Sequence, residues 1–408
     1  MSTRYKFFFA IVALLIMSAL VVTSCTGGIA RGWSGGTATA DGKTVFAGSM
    51  KGKVIAFDPG NNAILGKPLQ LTAPVSSGLS CIPSCGGQTS AALTLYASPV
   101  VLTTPDLGTV VYVGGNDGKI YAYQFVDNAL RTDAEWLYPR QGAMNGQIIG
   151  GIIIANNTVY FAMSDGMVYA LDSNGLYKKW SYKINSKVWS APVVDGNTLY
   201  IGCFDKTVYA LNATDGTLIW KTKTDGSINS TPLIYNNRVY IGDYDRHFYA
   251  IDAATGNIVW KFPSTDSSSG VPQNWFWAKP LVLNNVIYAP CLDGNLYALN
   301  PDSGNLITTF TFGNSITSSP IVVGNYIVVT TAVGSYAPTK QIGKAYIVNT
   351  TDGSHRELDF PQYEDVNAPL FAQGSIVYFH TTKDNLYSVD TSVKDGKLAL
   401  IFNLNTVK

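Results

Sequence analysis

The sequence predicts an all-β ring of eight four-stranded antiparallel blades, and three observations predict it. First, a short tetrad recurs: "IAFD" 55–58, "YAYQ" 121–124, "YALD" 169–172, "YALN" 209–212, "YAID" 249–252, "YALN" 297–300, "YIVN" 346–349 and "YSVD" 387–390. Second, its first residues lie 66, 48, 40, 40, 48, 49 and 41 apart, a period of forty with insertions. Third, aromatic residues make up 12%, charged residues only 13%, and there are 39 glycines. Such a composition suits pleated strands joined by tight turns, because aromatic and β-branched side chains pack on sheets and glycine permits the turns.

Each full repeat contains four segments in order. "SAPVVDG" (190–196) and "STPLIYNN" (230–237) alternate apolar with small residues and open a blade. "TLYIGCFD" and "RVYIGDYD" follow, each ending in a turn, and the tetrad strand comes third. "TDGTLIW" closes the unit with a glycine turn and a short strand. Four short strands every forty residues form one antiparallel sheet. A single such sheet cannot bury both faces, so the units close into a ring, a β-propeller. Seven blades is the alternative, should the degenerate "IAFD" or "YIVN" unit fail to form a sheet.

Local chemistry agrees with this division. Asp172, Asn212, Asp252, Asn300, Asn349 and Asp390 follow the tetrad's apolar residues, where a short polar side chain forms an Asx turn. Gly216, Gly256 and Gly304 then supply a left-handed backbone position. Trp136, Trp180, Trp220 and Trp260 close successive repeats. Recurrence at one slot indicates packing between blades, with each indole N–H free to reach a neighbouring carbonyl.

The first residues read differently. Arg4 and Lys6 precede an apolar run over 7–22, and small residues lead to Cys25. This is the pattern of a secretory signal. Val22-Thr23-Ser24-Cys25 resembles the bacterial lipobox, in which the cysteine is lipidated, so the reading is a signal over 1–24, a linker over 25–32 and one propeller over 33–408. An ordinary signal peptide or an uncleaved anchor is the alternative. With Thr26 after the cysteine, the Asp that resembles an inner-membrane retention signal is absent, which permits outer-membrane sorting. Cys81 and Cys85 flank "IPS" in a Gly/Ser-rich insertion and, in an exported chain, read as a small disulfide loop; a C-x3-C metal half-site is the other reading. Cys203 and Cys291 end strands in the slot that holds Ser49, Ser164 or Asp243 elsewhere, and read as small buried residues.

The pattern "YALDxxxGxxxW", preceded by "PxVxxxxxYxGxxD", resembles the pyrroloquinoline-quinone-type propeller repeat over nearly all of 33–405. The resemblance is specific for fold and weak for function. One branch comprises quinone-dependent dehydrogenases, which implies adjacent cysteines over the quinone and a calcium or lanthanide site beside a catalytic Asp. No "CC" pair and no oxygen-rich calcium loop occurs here. The other branch is the propeller lipoprotein of the outer-membrane β-barrel assembly machinery, which implies a protein-binding scaffold.

The residues favour the scaffold. There are three histidines, His247, His355 and His380, with no "HExxH" and no "GxSxG", so no catalytic or metal residue is assigned and neither quinone nor Ca²⁺ is expected. A formal net charge of +1 without a basic run argues against nucleic acid. Insertions at 66–96, 262–277 and 331–344 decorate the ring, the second placing Trp275, Phe276 and Trp277 in a row. Three residues before the proline that opens a repeat stands Trp189, and the same slot holds Tyr96, Asn229, Trp277, Thr317, Val366 and, by a shorter match, Trp33. In a propeller the first strand lines the channel, so this slot forms a ring at one mouth. Trp33, Tyr96, Trp189, Trp275 and Trp277 are the expected partner or ligand rim. The expected partner is a protein met through one face, in membrane or envelope protein assembly. A quinone-dependent oxidoreductase and a cell-wall or polysaccharide binder are the alternatives. Cys25→Ser is expected to release the protein from membranes or leave the precursor uncleaved, read by fractionation; normal cleavage and retention would overturn the lipobox.

Overall fold

The computed structural model describes residues 34–73, 91–142, 144–264, 271–332, 343–361 and 364–408. Cys25, Cys81, Cys85 and Trp33 therefore lie outside the described residues. No helix occurs among the described residues, and eight antiparallel blade sheets follow one another along the chain, with a two-stranded sheet of Thr72–Ala73 and Ala91–Ala92 between the first and second. Blade one comprises Gly36–Ala38, Val45–Gly48, Lys53–Phe57 and Ile64–Gln70. Blade four shows the regular pattern, with Val193–Asp195, Thr198–Cys203, Thr207–Asn212 and Leu218–Lys223 paired in sequence order. Blade eight ends the series with Phe371–Gln373, Ile376–His380, Asn385–Asp390 and Ala399–Asn403. Both degenerate units, "IAFD" and "YIVN", form complete sheets, so the eight-blade count holds.

Blade two departs from the pattern. Its outer edge is split into Ala129–Leu130 and Trp136–Tyr138, both paired with Ile120–Val126. Trp136 consequently sits half-buried, while Trp180, Trp220 and Trp260 are buried.

The turns have the predicted chemistry. Asp172 Oδ1 accepts the Asn174 N–H at 2.8 Å and Asn212 Oδ1 accepts that of Thr214 at 2.8 Å. Gly216 has φ +77°, and a Cβ placed there would meet the Trp180 ring at 2.6 Å. The glycine thus serves two ends: it turns its own chain and lets the preceding blade's indole lie flat beneath it.

Each of those indoles also reaches across. Trp180 Nε1 donates to Ala213 O, Trp220 Nε1 to Ala253 O and Trp260 Nε1 to Pro301 O, all at 2.9 Å. The same three carbonyls accept a second bond from Tyr160, Tyr200 and Tyr240 hydroxyls at 3.0, 3.1 and 3.2 Å. Both donors come from the blade before, so one carbonyl uses both lone pairs to bind it.

The first strand of blade one lies against those of blades two and eight, which closes the ring. No strand is exchanged between the termini among the described residues; side chains seal the seam instead. His380 Nε2 lies 2.8 Å from Asp384 Oδ1, and that oxygen accepts the Met50 N–H at 2.8 Å. Burial pushes the Asp384 carboxyl up, but His380 and the Met50 N–H outweigh it and hold the pKa below the usual value. Lys53 Nζ donates to Asn405 O at 2.8 Å and Val407 O at 2.7 Å, and Phe57 packs edge-on to Tyr378 and Phe402.

Trp220→Ala should cost about 3–5 kcal/mol in chemical denaturation, since it opens a buried cavity and strips a carbonyl of one donor. Trp136→Ala should cost clearly less; equal losses would show that the interblade bond is not the stabilising element.

Candidate functional site

Just ahead of each first strand the chain is already extended. From Val188 to Pro192 burial alternates, with Val188, Ser190 and Pro192 buried and Trp189 and Ala191 half-buried. Alternate side chains therefore face the blade core and the channel. The channel-facing residues Tyr96, Ile149, Trp189, Asn229, Trp277, Thr317 and Asn367 come from blades two to eight and line one cavity of ≈ 120 Å³. Of the slot read from the sequence, Tyr96, Trp189, Asn229, Trp277 and Thr317 line this cavity, Trp33 lies outside the described residues, and two positions differ.

Val366 does not belong to it. It is 0% exposed and packs in the core with Leu370 and Phe379. Pro369 stands one residue earlier relative to its strand than the prolines of other blades, and Leu370 takes their place, so aligning on proline slips the register by one. Asn367 occupies the slot. Ile149 was missed because blade three opens with Gly150-Gly151 and has no proline to align on.

The insertion "NWFW" also divides. Phe276 is 1% exposed and fills the slot of Val188, while Trp277 faces the channel and Trp275 is 42% exposed. Tyr244 is stacked on both tryptophans, 4.5 Å from Trp275 and 5.8 Å from Trp277 with interplanar angles of 12° and 9°. Phe204 continues the series, 5.7 Å from Tyr244 and 4.8 Å from Trp189. An aromatic arc thus runs through blades four, five and six. Phe204 and Tyr244 were absent from the expected site; their signal was the aromatic residue within the adjacent turns "CFD" and "DYD".

A second belt of hydrogen bonds fixes the mouth. The Ser34 hydroxyl donates to Ala97 O at 2.9 Å and that of Ser230 to Ala278 O at 3.0 Å, each from one blade to the next. The N–H groups of Gly35, Ala191 and Lys279 donate to the hydroxyls of Ser98, Thr231 and Ser319 at 3.1, 3.4 and 3.1 Å. Thr317 Oγ1 donates to Asn367 Oδ1 at 3.0 Å. The rim is therefore held by backbone register, which favours a preformed site.

Electrostatically the mouth is donor-rich. Lys279 stands two residues after Trp277, hence on the same face of the extended chain, and is the charged residue among the described lining. Crowding by the channel wall pushes its pKa below the usual lysine range, although water reaches the side chain. The described lining carries no carboxylate, so it does not fit Ca²⁺, which requires hard oxygen ligands.

The remaining reactive groups lie elsewhere. His380 belongs to the seam, His247 lies 3.4 Å from Asp225 in a blade-five turn, and His355 is on an exposed outer strand. Cys203 and Cys291 are free and buried, as read from their slot; burial pushes the Cys203 thiol up to about 12 and the Cys291 thiol further. Among the described residues no group of three or more His, Cys, Asp or Glu could hold a metal.

An eight-bladed propeller of quinone-type repeats, with an aromatic, donor-lined channel mouth, is the class these features define. The family model for the outer membrane protein assembly factor BamB matches residues 164–397, more than half of the chain, and the chain belongs to that family. No curated protein matches the sequence. The crystal structure of BamB from Moraxella catarrhalis is similar at TM-score 0.61 and 18% identity, covering 85% of this chain and 93% of that one. The computationally designed Ika8 protein is similar at TM-score 0.65 and 15% identity, with coverage of 88% and 96%. Quinohemoprotein alcohol dehydrogenase from Comamonas testosteroni gives TM-score 0.58 and 13% identity, with coverage of 75% and 67%. At such identities the likeness is one of fold, and it spans binding proteins, a design and an enzyme alike.

Lys279 is protonated less readily folded than unfolded, so its charge destabilises the fold below its folded pKa. That penalty is relieved as pH rises from the folded pKa towards 10.5, the ordinary value. Lys279→Met should therefore melt higher than the parent at neutral pH, and the difference should shrink as pH rises through this window. A difference independent of pH would contradict the lowering of the Lys279 pKa by its surroundings.

Proposed function

We propose that the protein is a lipid-anchored, extracytoplasmic binding platform that engages a protein partner in outer-membrane or envelope protein assembly. Membership of the BamB family supports the assembly role. The observation that carries the binding face is the exposed Trp275, held flat against Tyr244 beside the channel mouth. A large apolar ring kept partly in water, on a rim already ordered by hydrogen bonds, suits an anchor that loses little entropy on contact. A few blade loops can supply the roughly 800 Å² per partner of a standard interface. The carboxylate-free mouth supports a role without bound Ca²⁺, and the reading is non-catalytic.

The test is crosslinking in native cells, followed by identification of attached proteins, with Trp275→Ala and Trp189→Ala compared against the parent. Loss of most of the crosslinked partner, with a melting temperature within about 2 °C of the parent, is expected for Trp275→Ala because the ring is exposed. Unchanged capture by both variants would remove this face. Tight pyrroloquinoline quinone binding with alcohol oxidation in the purified protein would instead establish an oxidoreductase.

A further inference from the structure

We propose that the channel mouth binds a carboxylate carried next to a flat apolar group, with Lys279 as its counter-ion. The inference rests on the reading of this mouth as a binding site and names the chemistry it takes. Three observations carry it.

The first is an imbalance of charge. Lys279 is the charged residue of the described lining, and among the described residues its ammonium makes no hydrogen bond or ion pair. Nothing in its surroundings explains a cation: no carboxylate contributes to its electrostatics, and crowding alone disfavours its charge. A cation kept at a cost to stability, facing a cavity, is a candidate for function.

The second is the direction of the neighbouring polar groups. Ser319 and Thr231 accept backbone N–H groups through their hydroxyl oxygens, which leaves each O–H free to donate. Asn367 has its amide oxygen occupied by Thr317, so its NH₂ remains available. Thr231, Ser319 and Asn367 thus add free donors to a lining that holds one cation and no anion. A single positive charge with neutral donors matches a monoanion better than a phosphate, which favours a guanidinium fork or several cations.

The third is shape. Trp189 and Trp277, two blades apart, give the mouth an aromatic wall, and the cavity of ≈ 120 Å³ is somewhat smaller than the engineered pocket of about 150 Å³ that holds benzene. It accommodates a carboxylate and the near part of a ring, the remainder projecting outward. Both a free aryl acid and the C-terminal end of a polypeptide with an aromatic last residue present this chemistry.

The test titrates the full chain in detergent with benzoate, benzamide, N-acetylphenylalanine and N-acetylphenylalanine amide, by calorimetry and tryptophan fluorescence. Benzoate or N-acetylphenylalanine should bind at least about tenfold more tightly than its neutral amide. Lys279→Gln should lose about that factor while Lys279→Arg retains most of it, because the charge is kept. Tighter binding of N-acetylphenylalanine identifies a chain end, and tighter binding of benzoate a free acid. Equal affinity for acid and amide, unchanged affinity in Lys279→Gln, or no binding of either acid up to about 10 mM would overturn the proposal. The failures are separable: loss of partner capture in Trp275→Ala without carboxylate binding sinks only the ligand, and carboxylate binding with unchanged capture sinks only the protein-contact reading.

Discussion

The structure depends on one repeated contact between blades: a turn carbonyl that accepts an indole N–H and a tyrosine hydroxyl from the preceding blade. Ala213 O, Ala253 O and Pro301 O each hold both donors. A neutral hydrogen bond contributes only about 1 kcal/mol net, and its importance here is geometric. Both donors are buried, and an unmet donor or acceptor would cost more than the bond returns. Along blades three to six, each is therefore fixed in angle and height relative to the next. The glycine of the same turn completes the contact, since the approach of Trp180 to Gly216 excludes any side chain there.

A ring built from such contacts tolerates local departures provided the interlock survives nearby. Blade two splits its outer edge and loses the buried tryptophan, yet Tyr112 still donates to Ser173 O at 2.7 Å in the turn of blade three. The seam between blades eight and one has no tryptophan contact of this kind among its described bonds. It uses buried ionisable groups instead, with Asp384 joining the Met50 N–H to His380. A carboxylate there accepts charge-assisted bonds from both His380 and the Met50 N–H.

The same rigidity shapes the mouth. Because the first strands approach the axis in register, one side chain per blade must face the channel, and what it is decides the channel's chemistry. Most of these positions are neutral: indole, phenol, amide and hydroxyl. Lys279 follows two residues after Trp277, on the same face of the extended chain, and adds a positive charge to an otherwise neutral mouth. The family membership accounts for the fold, whereas the chemistry of the mouth is set by its own side chains.

By itself the sequence determined whatever repeats. The tetrad, the Asx turn, its glycine and the closing tryptophan recur, so their spacing yields eight blades, the strand order and the packing role of Trp180, Trp220 and Trp260. The channel slot was legible for the same reason at Tyr96, Trp189, Asn229, Trp277 and Thr317. The tertiary structure decided what occurs once. Asn367 displaced Val366 because a proline marks register only when it keeps its distance from the strand. Phe276 proved to be core although it stands between two rim tryptophans, since adjacent residues in extended chain face opposite sides. Phe204 and Tyr244 joined the aromatic arc, and Lys279 met no counter-charge, through neighbours contributed by other blades. A residue's partners across a ring are set by closure, and closure leaves no period in the sequence to be read.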